Sequence, residues 1–90
     1  PLYMASQEGH LEVVKELLRG GAAVNQAQKD GYSPLHMASQ EGHVEVVKEL
    51  LKAGADPTLA ADNGATALGG ARHFGHTRIV QLLQEHGATA

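Results

Sequence analysis

The stretch Ser33-Pro34-Leu35-His36-Met37-Ala38-Ser39-Gln40-Glu41-Gly42-His43, followed by Glu45-Val46-Val47-Lys48-Glu49-Leu50-Leu51, decides the fold, because most of it occurs twice. Pro1-Leu2-Tyr3-Met4-Ala5-Ser6-Gln7-Glu8-Gly9-His10 and Glu12-Val13-Val14-Lys15-Glu16-Leu17-Leu18 are the same text displaced by 33 residues, with Tyr3 in the place of His36. A third, eroded copy keeps the register through Gly64, Thr66, Leu68, Ala71, Gly75-His76, Ile79-Val80, Leu83 and Gly87-Ala88. Self-similarity at a period of about 20–50 residues is the mark of a stacked repeat architecture.

Each copy reads as two short helices. Ser33 is a good N-cap, and Pro34 falls at the first helical position, where its missing N–H does no harm. Leu35 and Ala38 face inward, and Gly42 ends the first helix. The second runs from about Val44 to Lys52, with Val46, Val47, Leu50 and Leu51 on a narrow apolar stripe and Glu45, Lys48, Glu49 and Lys52 opposite. Gly54 supplies a left-handed stop. Helices this short are unstable alone, so each unit must bury its stripe against its neighbours. The expected fold class is all-α, a solenoid of stacked helix-turn-helix units. The single domain spans 1–90, divided at about 1–27, 28–60 and 61–90, the last unit carrying a C-terminal cap.

Composition excludes several alternatives. Hydrophobic residues make up 42% of the chain, which argues against wholesale disorder, and only 3% is aromatic, which suits thin layers built from Leu, Val and Ala. A net charge of −3 leaves no basic field for nucleic acid or anionic membrane. No apolar run approaches the roughly 18 residues of a membrane span. Cysteine is absent, ruling out disulfides and thiol catalysis; together with the lack of a signal-peptide pattern, this points to an intracellular, cytoplasmic setting.

The repeated text resembles the ankyrin repeat, whose signature Thr-Pro-Leu-His…Ala…Gly-His-Leu-Glu-Val-Val-Lys…Leu…Gly-Ala-Asp is nearly spelled out along the whole chain. The resemblance implies that the loop between one unit and the next projects as a β-turn finger, here Gln28-Lys29-Asp30-Gly31-Tyr32 and Ala61-Asp62-Asn63-Gly64-Ala65. It also implies that the repeat-equivalent His10, His43 and His76 tie inter-helix turns to backbone groups of the adjacent unit. His36 is expected to bond back to Ser33.

Departures from the pattern carry information. The first copy opens mid-pattern at Pro1-Leu2 without a start methionine or a turn of its own. It is therefore expected to belong to a longer array, with Pro1 uncapped and Leu2 and part of the Val13, Val14, Leu17 and Leu18 set uncovered. Pairing through that face, as a homodimer, is the expected consequence. In the third copy Gln84 replaces Leu51 and Gly69-Gly70 replaces His36-Met37, which marks a terminal cap and the expected end of the array.

No cofactor or metal site is expected. A ladder of histidines spaced by helix packing, about 10 Å, cannot meet zinc's ligand distances of about 2.0–2.1 Å. His73-Phe74-Gly75-His76 offers two imidazoles without a third ligand. Enzyme motifs are missing: no phosphate loop, no Gly-x-Ser-x-Gly, no His-Glu-x-x-His. Glu8 and Glu41 occupy equivalent positions, so nothing pushes their pKa values apart as acid/base work demands.

What remains is binding. On the family's pattern, the concave surface of fingers and inner helices carries Gln7, Glu8, Lys29, Asp30, Tyr32, Gln40, Glu41, Asp62, Asn63, Ala65, His73 and Phe74. This makes the chain a protein-interaction module with a protein partner, anchored by Tyr32 and Phe74, although Phe74 could equally tuck under the terminal cap. The alternative is a structural scaffold or an engineered, idealised repeat protein without a natural ligand. The identity of Gln7-Glu8 with Gln40-Glu41 favours that alternative, since a surface tuned to one partner usually varies between repeats.

Overall fold

The computed structural model describes residues 2–88. Six helices follow in order: α1 (Leu2–Glu8), α2 (Leu11–Arg19), α3 (Pro34–Glu41), α4 (Val44–Lys52), α5 (Ala67–His73) and α6 (Thr77–Glu85). They form three helix pairs. The first helices of the pairs, α1, α3 and α5, stack into an inner layer, and α2, α4 and α6 into an outer one. The all-α solenoid expected from the period is the architecture observed.

The helix starts follow local chemistry. Ser33 accepts a hydrogen bond from the His36 N–H, while the His36 ring accepts one from the Ser33 N–H, a reciprocal cap at the head of α3. Thr66 caps α5 through the Gly69 N–H at 3.0 Å. The outer helices instead begin right after the inter-helix turn, at His10, His43 and His76, without a side-chain cap. The helix ends share one solution. Behind α4, Ala55 N–H donates to Leu50 O at 2.9 Å and Gly54 N–H to Leu51 O at 3.0 Å, with Gly54 left-handed at φ +94°. That paired closure satisfies carbonyls that would otherwise be orphaned.

The core is thin and continuous. Leu35 is only 2% exposed, and Ala38 and Ala71 are fully buried, so small side chains let the inner helices approach closely. From the outer layer come Val46, Val47, Leu50 and Leu51, then Ile79, Leu82 and Leu83. The polar faces of α2 and α4 close on themselves in i,i+3 ion pairs: Lys15–Glu12, Arg19–Glu16, Lys48–Glu45 and Lys52–Glu49. Gln84 is exposed, as its polarity demands. Among the described residues no helix is long and apolar enough to cross a membrane.

One expectation needs correction. Leu2 and Val14 are buried, Val14 completely, whereas Met4 at 52% and Val13 at 49% exposure form the open apolar surface of the first pair. Leu17 and Leu18 are half-buried. Successive positions on a helix point about 100° apart, so Val13 and Val14 serve opposite stacking directions. Of these two, Val14 belongs to the continuous core. The capping of Pro1 lies outside the described residues.

Candidate partner-binding groove

The two fingers are built alike. In the first, Gln28 N–H donates to Tyr32 O and Gly31 N–H to Gln28 O, both at 2.9 Å. In the second, Ala61 N–H donates to Ala65 O and Gly64 N–H to Ala61 O, both at 2.8 Å. Each finger is braced by a side chain two residues before the closing amide: Asp30 Oδ1 accepts from Tyr32 N–H, and Asn63 Oδ1 from Ala65 N–H, at 3.0 Å each. Asp30 and Asn63, both expected as contact positions, thus also hold their own turns.

The fingers are also joined to each other. Asp62 N–H donates to Asp30 O at 2.9 Å, and Asn63 Nδ2 donates to the Tyr32 hydroxyl at 3.1 Å. Gly31 is required twice over. Its φ is +85°, and a Cβ there would stand 2.9 Å from the Asp62 nitrogen. Any larger residue would push the fingers apart.

His36 fastens the finger layer to the inner helices. Its Nδ1 accepts from the Ser33 N–H at 3.0 Å and lies 2.7 Å from Ser33 Oγ, while Nε2 donates to the Ala65 carbonyl at 3.0 Å. A carbonyl can only accept, so the ring is held as the neutral tautomer protonated on Nε2. Burial lowers the imidazole pKa below its ordinary value, outweighing the carbonyls of Ala65 and Leu59 and the Asp30 carboxylate, which act the other way. The bond to Ser33 follows the sequence reading; the bond across to Ala65, 29 positions away, does not. Tyr32 rests against this ring, with centroids 5.3 Å apart.

Of the repeat-equivalent histidines, His43 and His76 do what the resemblance implies, and His10, among the described residues, does not. His43 Nε2 donates to Gln7 O and His76 Nε2 to Gln40 O, at 3.0 Å in each case. Both rings press onto the glycine of the preceding unit: a Cβ on Gly9 or on Gly42 would come within 2.6 Å of them. These imidazoles are stacking clamps. His10 is exposed.

Two of the expected anchors meet in one place. A cleft of about 410 Å³ opens between the second finger, α3 and α5, lined by Tyr32, His36, Gln40, Gly64, Ala65, Thr66, Gly69, Gly70, His73 and Phe74. It exists because Gly69 and Gly70 stand where the second unit has His36 and Met37, whose side chains are buried in the stack. Phe74 is 54% exposed, so it does not tuck under the C-terminal unit. Its ring meets His73 edge-on at 4.7 Å and lies roughly parallel to His76 at 6.4 Å.

Of the remaining expected positions, Gln40 and Ala65 line this cleft, and Lys29 lines a second one. Gln7 is half-buried; Glu8, Lys29, Asp30, Glu41, Asp62 and Asn63 are exposed. None of the four exposed carboxylates Glu8, Asp30, Glu41 and Asp62 takes part in an ion pair among the described residues. In the sequence Gly69-Gly70 marks a terminal cap and points to no site. A larger cleft, about 500 Å³, lies away from these anchors, along Leu2, Tyr3, Leu17, Ala22 and the approach to Lys29.

Comparison with known proteins agrees with this geometry. Residues 2–90 match the family described as ankyrin repeats in three copies. The chain belongs to the ankyrin-repeat family. A stretch of 34 residues, 38% of the chain, is 56% identical to the transcription regulator FGM4 of Gibberella zeae. The chain spans only 13% of that protein's length.

Proposed function

We propose that the chain is a non-enzymatic protein-interaction module that grips a protein partner in the groove between its fingers and inner helices. The observation that carries this reading is the contrast between its two sides. On the outer helices α2 and α4, lysine and arginine are engaged with neighbouring glutamates, a self-contained solvated face. On the groove side, a half-exposed Phe74 and the Tyr32 ring line an open cleft, and the exposed carboxylates of Asp30, Asp62 and Glu41 stand on the fingers and at the end of α3. Aromatic side chains in that setting are the usual anchors of interfaces. Ankyrin repeats generally serve as interaction modules, and similarity to part of a transcription regulator fits such a role.

The test is a pull-down with the immobilised chain, read by mass spectrometry. Proteins retained by the wild type should be lost on Tyr32→Ala and on Asp62→Lys and kept on Glu45→Lys. Retention that tracks Glu45 instead would move the site to the outer helices. A chain that retains nothing would favour the scaffold reading.

A second reading, compatible with the first, is self-association. It rests on Met4 and Val13, which are large, apolar, half-exposed and on the same edge of the stack.

A further inference from the structure

The cleft floored by Gly69 and Gly70 selects its occupant through what it lacks. The backbone donors of its floor and of the finger beside it are already engaged. Gly69 N–H bonds to Thr66 Oγ and Gly70 N–H to Thr66 O, both at 3.0 Å, while Ala65 N–H is held by Asn63 and Gly64 N–H by Ala61. The Ala65 carbonyl is occupied by His36. A phosphate or carboxylate entering here would lose its hydration without finding backbone N–H groups in exchange. Beside the Gln40 and Thr66 side chains at its wall, the surfaces left to touch are the rings of Tyr32, His73 and Phe74, the Ala65 methyl and the bare α-carbons of two glycines. A volume of about 410 Å³, toward the small end for ligand pockets, is ample for one large side chain.

The elements that frame the cleft add a charge preference. Asp30 and Asp62 stand on joined fingertips, and Glu41 ends α3, against Lys29 as the basic side chain of the fingers. The chain's other cations are placed elsewhere. Lys15, Arg19, Lys48 and Lys52 are paired on the outer helices; Arg72 sits with Ala71, Gly75, Thr77 and Val80 on the far side of the last unit, and Arg78 is in α6. The groove therefore carries an excess of negative charge, complementary to a basic partner and repellent to nucleic acid.

Resting on the groove reading, we propose that this cleft is the seat of one large apolar side chain, preferably aromatic, projecting from a Lys/Arg-rich segment of the partner protein. The aromatic enters between Tyr32 and Phe74, offering its edge or face to their rings, while the flanking basic residues meet Asp30, Asp62 and Glu41.

A phage-displayed library of random 12-residue peptides, selected on the full chain, supplies the probe. Recovered peptides are synthesised and titrated against four variants. Gly70→Met installs the residue found at the same position of the second unit. Its Cβ would sit at an ordinary 3.7 Å from the Gln40 Cβ, so the fold should tolerate it while the cleft fills. Phe74→Ala removes an exposed ring and serves as a second, independent lesion. Binders should carry an aromatic or large aliphatic residue beside Lys or Arg. They should weaken at least about tenfold on either variant, weaken further as salt is raised, and ignore Glu45→Lys.

Peptides that need Asp62 (lost on Asp62→Lys) yet bind Gly70→Met like the wild type would overturn the cleft assignment and leave the groove standing. Binders with acidic flanks would overturn the charge preference. Binders sensitive to Glu45→Lys, or a library from which nothing is retained, would overturn both the cleft and the groove.

Discussion

Gly42→Ala should destabilise the chain more than Gly75→Ala, although the two glycines hold the same place in successive units. Both are left-handed, with φ of +81° and +74°, so alanine is strained at either position. That strain costs about 1–2 kcal/mol, partly offset by about 0.4–1 kcal/mol from a stiffer unfolded chain. At Gly75 nothing lies within 4 Å of the added Cβ, and this is the whole effect, roughly 1 kcal/mol. At Gly42 the Cβ would stand 2.6 Å from His76 Cε1 and 3.0 Å from both ring nitrogens. The ring must leave, and with it the 3.0 Å bond to Gln40 O that ties the third unit to the second. Losing that bond adds about 0.5–1.5 kcal/mol, before any packing loss. At about 4–8 °C per kcal/mol for a domain of this size, Gly42→Ala should melt at least about 2 °C below Gly75→Ala. Circular dichroism melts of both, repeated in a His76→Ala background, decide the matter. With the ring gone the two substitutions should cost the same. Equal melting in the wild-type background, or a difference that survives His76→Ala, would refute the clamp.

The remaining expectations are shorter. Leu35→Ala, at a position 2% exposed between two neighbouring units, should cost about 2–5 kcal/mol and lower the melting midpoint by roughly 10 °C or more; an unchanged midpoint would refute the register. His36 is held neutral with a pKa below its ordinary 6.5, so the unfolded chain binds the proton first. Its contribution is therefore complete above that value and lost as pH falls through the window down to the folded pKa, by at most about 1.4 kcal/mol per pH unit. Urea titrations from about pH 7.5 downward should show a shallower loss for His36→Asn than for the wild type, and parallel slopes would contradict the assigned tautomer. Ser39→Ala should raise stability by up to about 1 kcal/mol, because the Ser39 hydroxyl is buried without a partner and alanine suits the helix; a fall in the urea midpoint would show that the hydroxyl is bonded. If Met4 and Val13 mediate self-association, sedimentation should show the mean mass rising with concentration in the wild type and staying flat in Met4→Lys/Val13→Lys. A wild type that is monomeric throughout ends that reading.

The fold was legible because the features that specify it recur. A stop such as Gly42 or Gly54 and a stripe such as Val46, Val47, Leu50 and Leu51 mean little once, and a great deal when repeated at a constant spacing. The face of each stripe residue was harder to read. Val13 and Val14 are adjacent and chemically identical, yet one is half-exposed and the other fully buried, because only one of the two stacking directions out of α2 meets another unit. Hydrophobic pattern reports that a residue should be covered; it does not report by which neighbour. Bonds between distant segments were equally out of reach. Asn63 and Tyr32 look like two separate contact residues until their fingers are laid side by side.

The cleft was hidden for a different reason. In the third copy Gly69-Gly70 reads as decay of the pattern, and decay near the end of a repeat array is readily attributed to capping. A missing side chain leaves no period and no charge to detect. It becomes a feature only when the surrounding rings are in place, and those come from three elements: Tyr32 from the first finger, His36 from α3, and Phe74 from just beyond α5. The near-identity of Gln7-Glu8 and Gln40-Glu41 had weighed against a tuned surface. The same comparison now argues the other way. Where those two units are alike, the structure shows stacking chemistry, such as the carbonyls of Gln7 and Gln40 accepting from His43 and His76. Where the third unit departs, it removes two side chains from the stack and places Phe74 in solvent beside the gap. Loss of a buried Met and gain of an exposed Phe both oppose stability, since one weakens packing and the other leaves apolar area in water. Both changes fall at one spot on the concave side, where a partner's side chain would reverse each cost.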